Sequence, residues 1–216
     1  MILDILYIGW ILMVFIIGLV FTKKSSHFSY KLLLVFLIVT FMNESICLYI
    51  KNKQLGSTYI FYNFYYYFRF PIIGWMFLNM FSNQLQKGTV YLFLLFSVIL
   101  FFVNNFYLYG FYTLHSNYQF SGGIFIIIIS LIHFYNILKN TKKKNPLTTP
   151  FFWVATGLFF YFLGTLPFFG ILNFLLKKEI IFVSAYLIII KSFSILLYSL
   201  IGIDFYIQWK YQQLEF

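Results

Sequence analysis

Residues 30–50 read YKLLLVFLIVTFMNESICLYI, a run in which only Lys31 at its start and Glu44 inside it carry charge. A helix needs roughly 20 apolar residues to cross about 30 Å of hydrocarbon, and this run supplies them. Working outward, six more runs of the same kind fill the chain: 2–22, 58–81, 89–104, 120–138, 151–172 and 180–206. The fourth is slightly short and the seventh long. Strict alternation of apolar and polar residues is missing, and open sheet edges find no partners in lipid, so strands are excluded. The expected fold class is all-α: one bundle of seven transmembrane helices over 1–216, with no internal repeat.

Composition agrees with that reading. Hydrophobic residues make up 62% and charged ones 9%, against about 25% charged in a soluble domain. Phe, Ile, Tyr, Asn and Lys abound while Ala155 and Ala185 are the only alanines, a bias expected from an AT-rich genome. Close helix approach then falls to Gly, Ser and Thr. Cys47 is the lone cysteine, which rules out a disulfide framework and a thiolate metal site. Residues 1–22 lack a basic leader and a small-residue cleavage site, with Asp4 near the start. They read as a retained first span.

The net charge of +10 follows topology and does not point to nucleic acid. With the amino terminus outside, the cytoplasmic segments hold Lys23, Lys24, Lys31, Lys87, Lys139, Lys142, Lys143, Lys144 and Lys210. The outer loops hold Lys51, Lys53, Lys177 and Lys178. The excess, and above all the cluster at 142–144, places the carboxyl terminus in the cytoplasm. Seven-helix receptors and rhodopsins share that topology, a likeness that implies no activity. The aromatic connection at 105–119 suits the outer interface.

Three polar stripes interrupt the oil. Thr40, Asn43, Glu44 and Cys47 share one face of the second span, and Tyr59, Tyr62, Asn63, Tyr66 and Arg69 line the third. Ser184, Lys191, Ser194 and Tyr198 share a face of the seventh. At about 1.5 Å per residue Arg69 and Lys191 lie near mid-membrane, with Glu44 somewhat shallower. An isolated charge at the centre costs about 2.5–3.5 kcal/mol, so pairing is favoured. Glu44 is expected to bond Arg69, Lys191 or both, with Asn43 and Tyr62 or Tyr66 completing a ligand-binding cluster. One carboxylate facing two cations leaves an excess positive charge. Either Lys191 releases its proton or a small anionic ligand enters; a network that only fixes helix packing is the plainer alternative.

Pro71 and Pro167 are expected to kink the third and sixth spans. His133, with Ser130 on its face, reads as a packing histidine, and Asp204 and Lys210 as interfacial anchors. His27 and His115 fall in loops. No HExxH, phosphate-cradling glycine loop, GxSxG or carboxylate pair occurs, so neither catalysis nor a metal site is expected. Retinal on Lys191 with Glu44 as counter-ion is disfavoured, because the third span offers Arg69 where an acid is needed.

The stretches 61–75 (FYNFYYYFRFPIIGW) and 151–172 (FFWVATGLFFYFLGTLPFFGIL) resemble a group of small seven-span membrane proteins of Bacteroidota. The resemblance covers most of the chain and implies association with sensor histidine kinases, with no catalytic residues to carry over. The expectation is an integral inner-membrane protein of sensor or accessory type that acts through a membrane or cytoplasmic signalling partner. A small proton-coupled carrier and a structural subunit of a larger complex, the latter equally at home in a mitochondrial inner membrane, are the alternatives.

Overall fold

In the computed structural model the described residues are 2–22, 28–108, 110–140, 145–175 and 180–214, with side chains for all of these but 2, 140, 171–175, 180–186 and 211–214. Seven α-helices run through them: α1 Ile2–Phe21, α2 Phe28–Asn52, α3 Tyr59–Met80, α4 Gln84–Phe102, α5 Ser116–Asn140, α6 Phe152–Leu175 and α7 Ile180–Leu214. No strand occurs among the described residues. Six of the helices are long and apolar enough to cross a membrane, as in a multi-pass membrane protein. The seventh, α3, is too rich in Tyr, Asn and Arg to count by composition.

Each helix packs on its chain neighbours, α7 closes on α1, and α3 reaches across to α5. Short connections make neighbours antiparallel. The start of α1, the end of α2 and the start of α3 therefore gather at one end, here the Asp4 end. The opposite one is the Asp204 end. The turn from α2 to α3 needs left-handed backbone at Gln54 (φ 54°) and Gly56 (φ 121°), which glycine meets without strain. At the start of α4 the Asn83 side chain accepts from the Leu85 amide at 3.0 Å, capping an otherwise orphaned donor.

Oil faces out as well as in. Leu6, Leu92 and Leu138 are each more than 60% exposed, as lipid contact allows. Inside, Phe70 of α3 meets the rings of Phe93, Tyr118 and Phe162 at 6.0, 5.3 and 5.8 Å. A Cβ on Gly122 of α5 would fall inside the Phe70 ring, so the α3–α5 crossing depends on that glycine.

The helices depart from expectation at two places. A π-helical turn, Val103–Leu108, prolongs α4, and α5 begins earlier than expected, at Ser116. Residues 105–108 and 116–119 of the expected connection are thus helical, with 110–115 forming the turn between them. Both expected kink residues, Pro71 and Pro167, sit inside helices that continue past them. Lys23, Lys24, Lys142, Lys143, Lys144, Lys177, Lys178 and His27, which bear on orientation and the loops, lie outside the described residues.

Asp204 is not an interfacial anchor. It is fully buried, accepts from the Tyr30 hydroxyl at 2.7 Å and from the Trp153 amide at 3.2 Å. A carboxylate from α7 therefore caps the first turn of α6, where the helix dipole favours negative charge. Phe151, just before that turn, holds φ at 65°, and the Tyr30 ring packs on it at 4.8 Å. His133 is buried between the rings of Phe77 and Phe81, at 5.8 and 6.3 Å, in the packing role expected of it.

Candidate functional site: a tyrosine-lined cavity at the Asp4 end

A cavity of about 730 Å³ enters the bundle at the Asp4 end, within the 300–1,000 Å³ range of small-molecule sites. Gln54, Gly56 and Ser57 of the α2–α3 turn border its mouth, with Lys51 exposed beside them. Its walls come from α1, α2, α3, α6 and α7, and carry seven tyrosines, among them Tyr62, Tyr66 and Tyr161. Arg69, Ser194 and Tyr198 line its deep part. Beyond it the bundle is filled: Leu33, Phe36, Ile73, Phe77, Leu158 and Ile201 are each at most 1% exposed.

Glu44, Arg69 and Lys191 all line this cavity, as do Tyr62 and Tyr66. Each of the three helices that carry a polar stripe, α2, α3 and α7, contributes residues of that stripe to the cavity wall. Their bonding differs from expectation. Lys191 forms an ion pair with Asp4, not with Glu44. The reason is geometric. α1 packs against α7, and the first turn of α1 puts Asp4 within reach of Lys191. The lysine stem can then reach outward to the first turn of α1.

Glu44 touches neither cation within ion-pairing distance among the described residues. It accepts one long hydrogen bond, 3.4 Å, from the Tyr62 hydroxyl. Arg69 is 4% exposed and held by rings. Its guanidinium lies 4.7 Å from the Tyr161 centroid and 4.8 Å from that of Phe162, contacts worth about 0.5–2 kcal/mol each. It donates to the Tyr161 hydroxyl at 3.4 Å, and its Nε has no partner. Asn43 is buried with its Nδ2 unpartnered and does not line the cavity, so it leaves the cluster. Asp4 supplies a second carboxylate, so Asp4 and Glu44 balance Arg69 and Lys191 within the cavity, with Lys51 in addition at its mouth.

Asn63 and Thr40 serve structure instead. Thr40 Oγ1 and the Tyr65 hydroxyl are 2.9 Å apart and clasp α2 to α3. Asn63 donates to the Phe111 and Thr113 carbonyls at 3.2 and 2.7 Å and accepts from the His115 amide at 3.1 Å. His115 is fully buried, its Nδ1 2.7 Å from the Tyr67 hydroxyl and its Nε2 2.8 Å from the Gly110 carbonyl. Burial holds the imidazole below its ordinary range, opposed in part by the Gly110 carbonyl. These bonds tie the α4–α5 connection to α3 beside the cavity. The side chain of Ser184 lies outside the described residues.

Sequence reasoning missed Asp4, Tyr161 and His115. Asp4 had a signal: it is one of five acidic residues and begins an apolar span. Tyr161 and His115 had none, since their importance comes from which rings and carbonyls the fold places around them. Among the described residues no group of His, Cys, Asp and Glu could hold a metal ion. Comparison of the chain with protein-family models, with curated proteins and with solved structures finds no match.

Proposed function

We propose that the chain is a seven-span inner-membrane receptor, of sensor or accessory type, that binds a small molecule from one side of the membrane and acts through a partner. The observation that carries this reading is the one-sided cavity: charged and tyrosine-lined at the Asp4 end, with close-packed apolar side chains between it and the Asp204 end. A carrier would need a second route to the same residues. A purely structural subunit would have no use for an open volume of this size.

Counting α3 as a span rests on its outward face. Phe61, Phe64, Phe68 and Trp75 fall on one side of the helix and are each at least 37% exposed, while Arg69 and Asn63 turn inward. A low mean hydropathy then reflects a polar inner face and not a helix outside the bilayer. The distribution of lysines puts the Asp4 end outside and the Asp204 end in the cytoplasm. On this reading the resemblance at 61–75 and 151–172 points to a kinase-type signalling partner, with the lysines at 142–144 as its cytoplasmic contact.

Cysteine accessibility tests the reading. Ser194 lines the deep part of the cavity and bonds only the Ile190 carbonyl of its own helix, so Ser194→Cys in a Cys47→Ser background is a mild change. A membrane-impermeant thiol reagent added outside intact cells should label it. In inverted vesicles it should stay unlabelled, while Gln208→Cys at the other end should label. Equal labelling of Ser194→Cys from both faces would replace the receptor by the carrier.

A further inference from the structure

The cavity holds two charges that the protein leaves without counter-ions. Asp4 and Lys191 close on each other, and Lys51 is exposed at the mouth. That leaves Glu44 with one 3.4 Å hydrogen bond and Arg69 with another, both on the wall of one cavity and outside pairing distance of each other. A carboxylate can accept about four hydrogen bonds and a guanidinium can donate five. Arg69 is 4% exposed, and its Nε has no partner among the described residues. Leaving a buried charged group short of partners is costly, and a ligand that supplies them recovers that cost.

We infer that the cavity binds a small aminocarboxylate zwitterion, its carboxylate on the Arg69 guanidinium and its ammonium on Glu44. This deepens the receptor reading and rests on it. A simple anion would satisfy Arg69 but lie beside the Glu44 carboxylate. A simple amine would satisfy Glu44 but face Arg69. Only a molecule with both charges answers both residues. A planar guanidinium suits bidentate contact with a carboxylate. Tyr62 and Tyr66, stacked 6.1 Å apart, add apolar faces and hydroxyls along the path between the two charges. The Tyr62 and Tyr161 hydroxyls each hold one of the two charged groups before the ligand arrives, which lowers the ordering cost of binding.

Isothermal titration of the full chain in nanodiscs tests this with glycine, 4-aminobutyrate and phenylalanine, each against its single-charge relatives. For 4-aminobutyrate these are butyrate and butylamine; for phenylalanine, 3-phenylpropionate and phenethylamine. At least one zwitterion should bind about tenfold tighter than both of its relatives. Glu44→Gln should bring that zwitterion level with the acid, and Arg69→Gln should bring it level with the amine. The wild-type comparison stands even if a variant fails to fold. Equal binding of acid and zwitterion by the wild type would overturn the inference in favour of an anion site. So would a panel that shows no binding up to about 10 mM while Ser194→Cys still labels from outside. Failure of that labelling would instead remove the receptor reading itself.

Discussion

Replacing Lys191 by Met and Asp4 by Asn, singly and together, measures whether the pair seen in the cavity wall holds α1 to α7. The two side chains are 17% and 15% exposed, so they are mostly withdrawn from bulk water yet border an open volume. A fully exposed pair contributes about 0–1 kcal/mol, and breaking a fully buried one costs about 3–5 kcal/mol. The Asp4–Lys191 pair falls between, and a coupling energy of about 2 kcal/mol is expected. Each single variant removes the pair, so the two single costs should sum to more than the cost of the double variant, the difference being the coupling energy. Titration with SDS in mixed micelles, followed by tryptophan emission, reads the loss. Trp10 is placed to report it, because its indole N–H donates to Ser199 across the α1–α7 contact at 3.2 Å. The control is the Glu44–Lys191 cycle, the pairing that sequence spacing favours. Coupling below about 0.5 kcal/mol for Asp4–Lys191, with a larger value for Glu44–Lys191, would refute the assignment.

The same titration checks three further expectations. Asp204→Ala strands the Tyr30 hydroxyl and the Trp153 amide in the interior and should cost about 2–4 kcal/mol, whereas Tyr30→Phe, which removes one bond, should cost about 1 kcal/mol. Gly122→Ala drives a methyl into the Phe70 ring and should cost about 1–3 kcal/mol, with Phe70→Leu in the same chain restoring part of it. His115 is held neutral by burial, so the unfolded chain binds its proton more readily than the folded one. Stability should be full above pH 6.5 and fall as pH drops below it, and His115→Gln should flatten that slope.

Hydropathy periodicity made the helices legible, because an apolar run in lipid has one backbone solution. Polar stripes at helical spacing also made the inward faces of α2, α3 and α7 legible, down to Glu44, Arg69 and Lys191 on one cavity. What spacing could not give was partnership. Lys191 could be paired only by knowing that the first turn of α1 lies against α7. Asp204 looked like an anchor because its burial depends on the amino end of α6 being brought beside it. Asn43 shared a face with Glu44 by periodicity, yet it is buried in the packed wall and does not line the cavity. Helix existence is a local property; which charge meets which is set by the packed bundle.

The closing contact of the helical ring joins residues 187 positions apart in the chain. At a synthesis rate of about 5–20 residues per second, Asp4 waits roughly 10–40 s for Lys191 to emerge. Throughout that interval α1 packs on α2 with no α7 against its other side. A ribosome stalled before α7 therefore leaves α1 without the helix that closes the ring, an uncovered face that membrane quality control can read without testing activity.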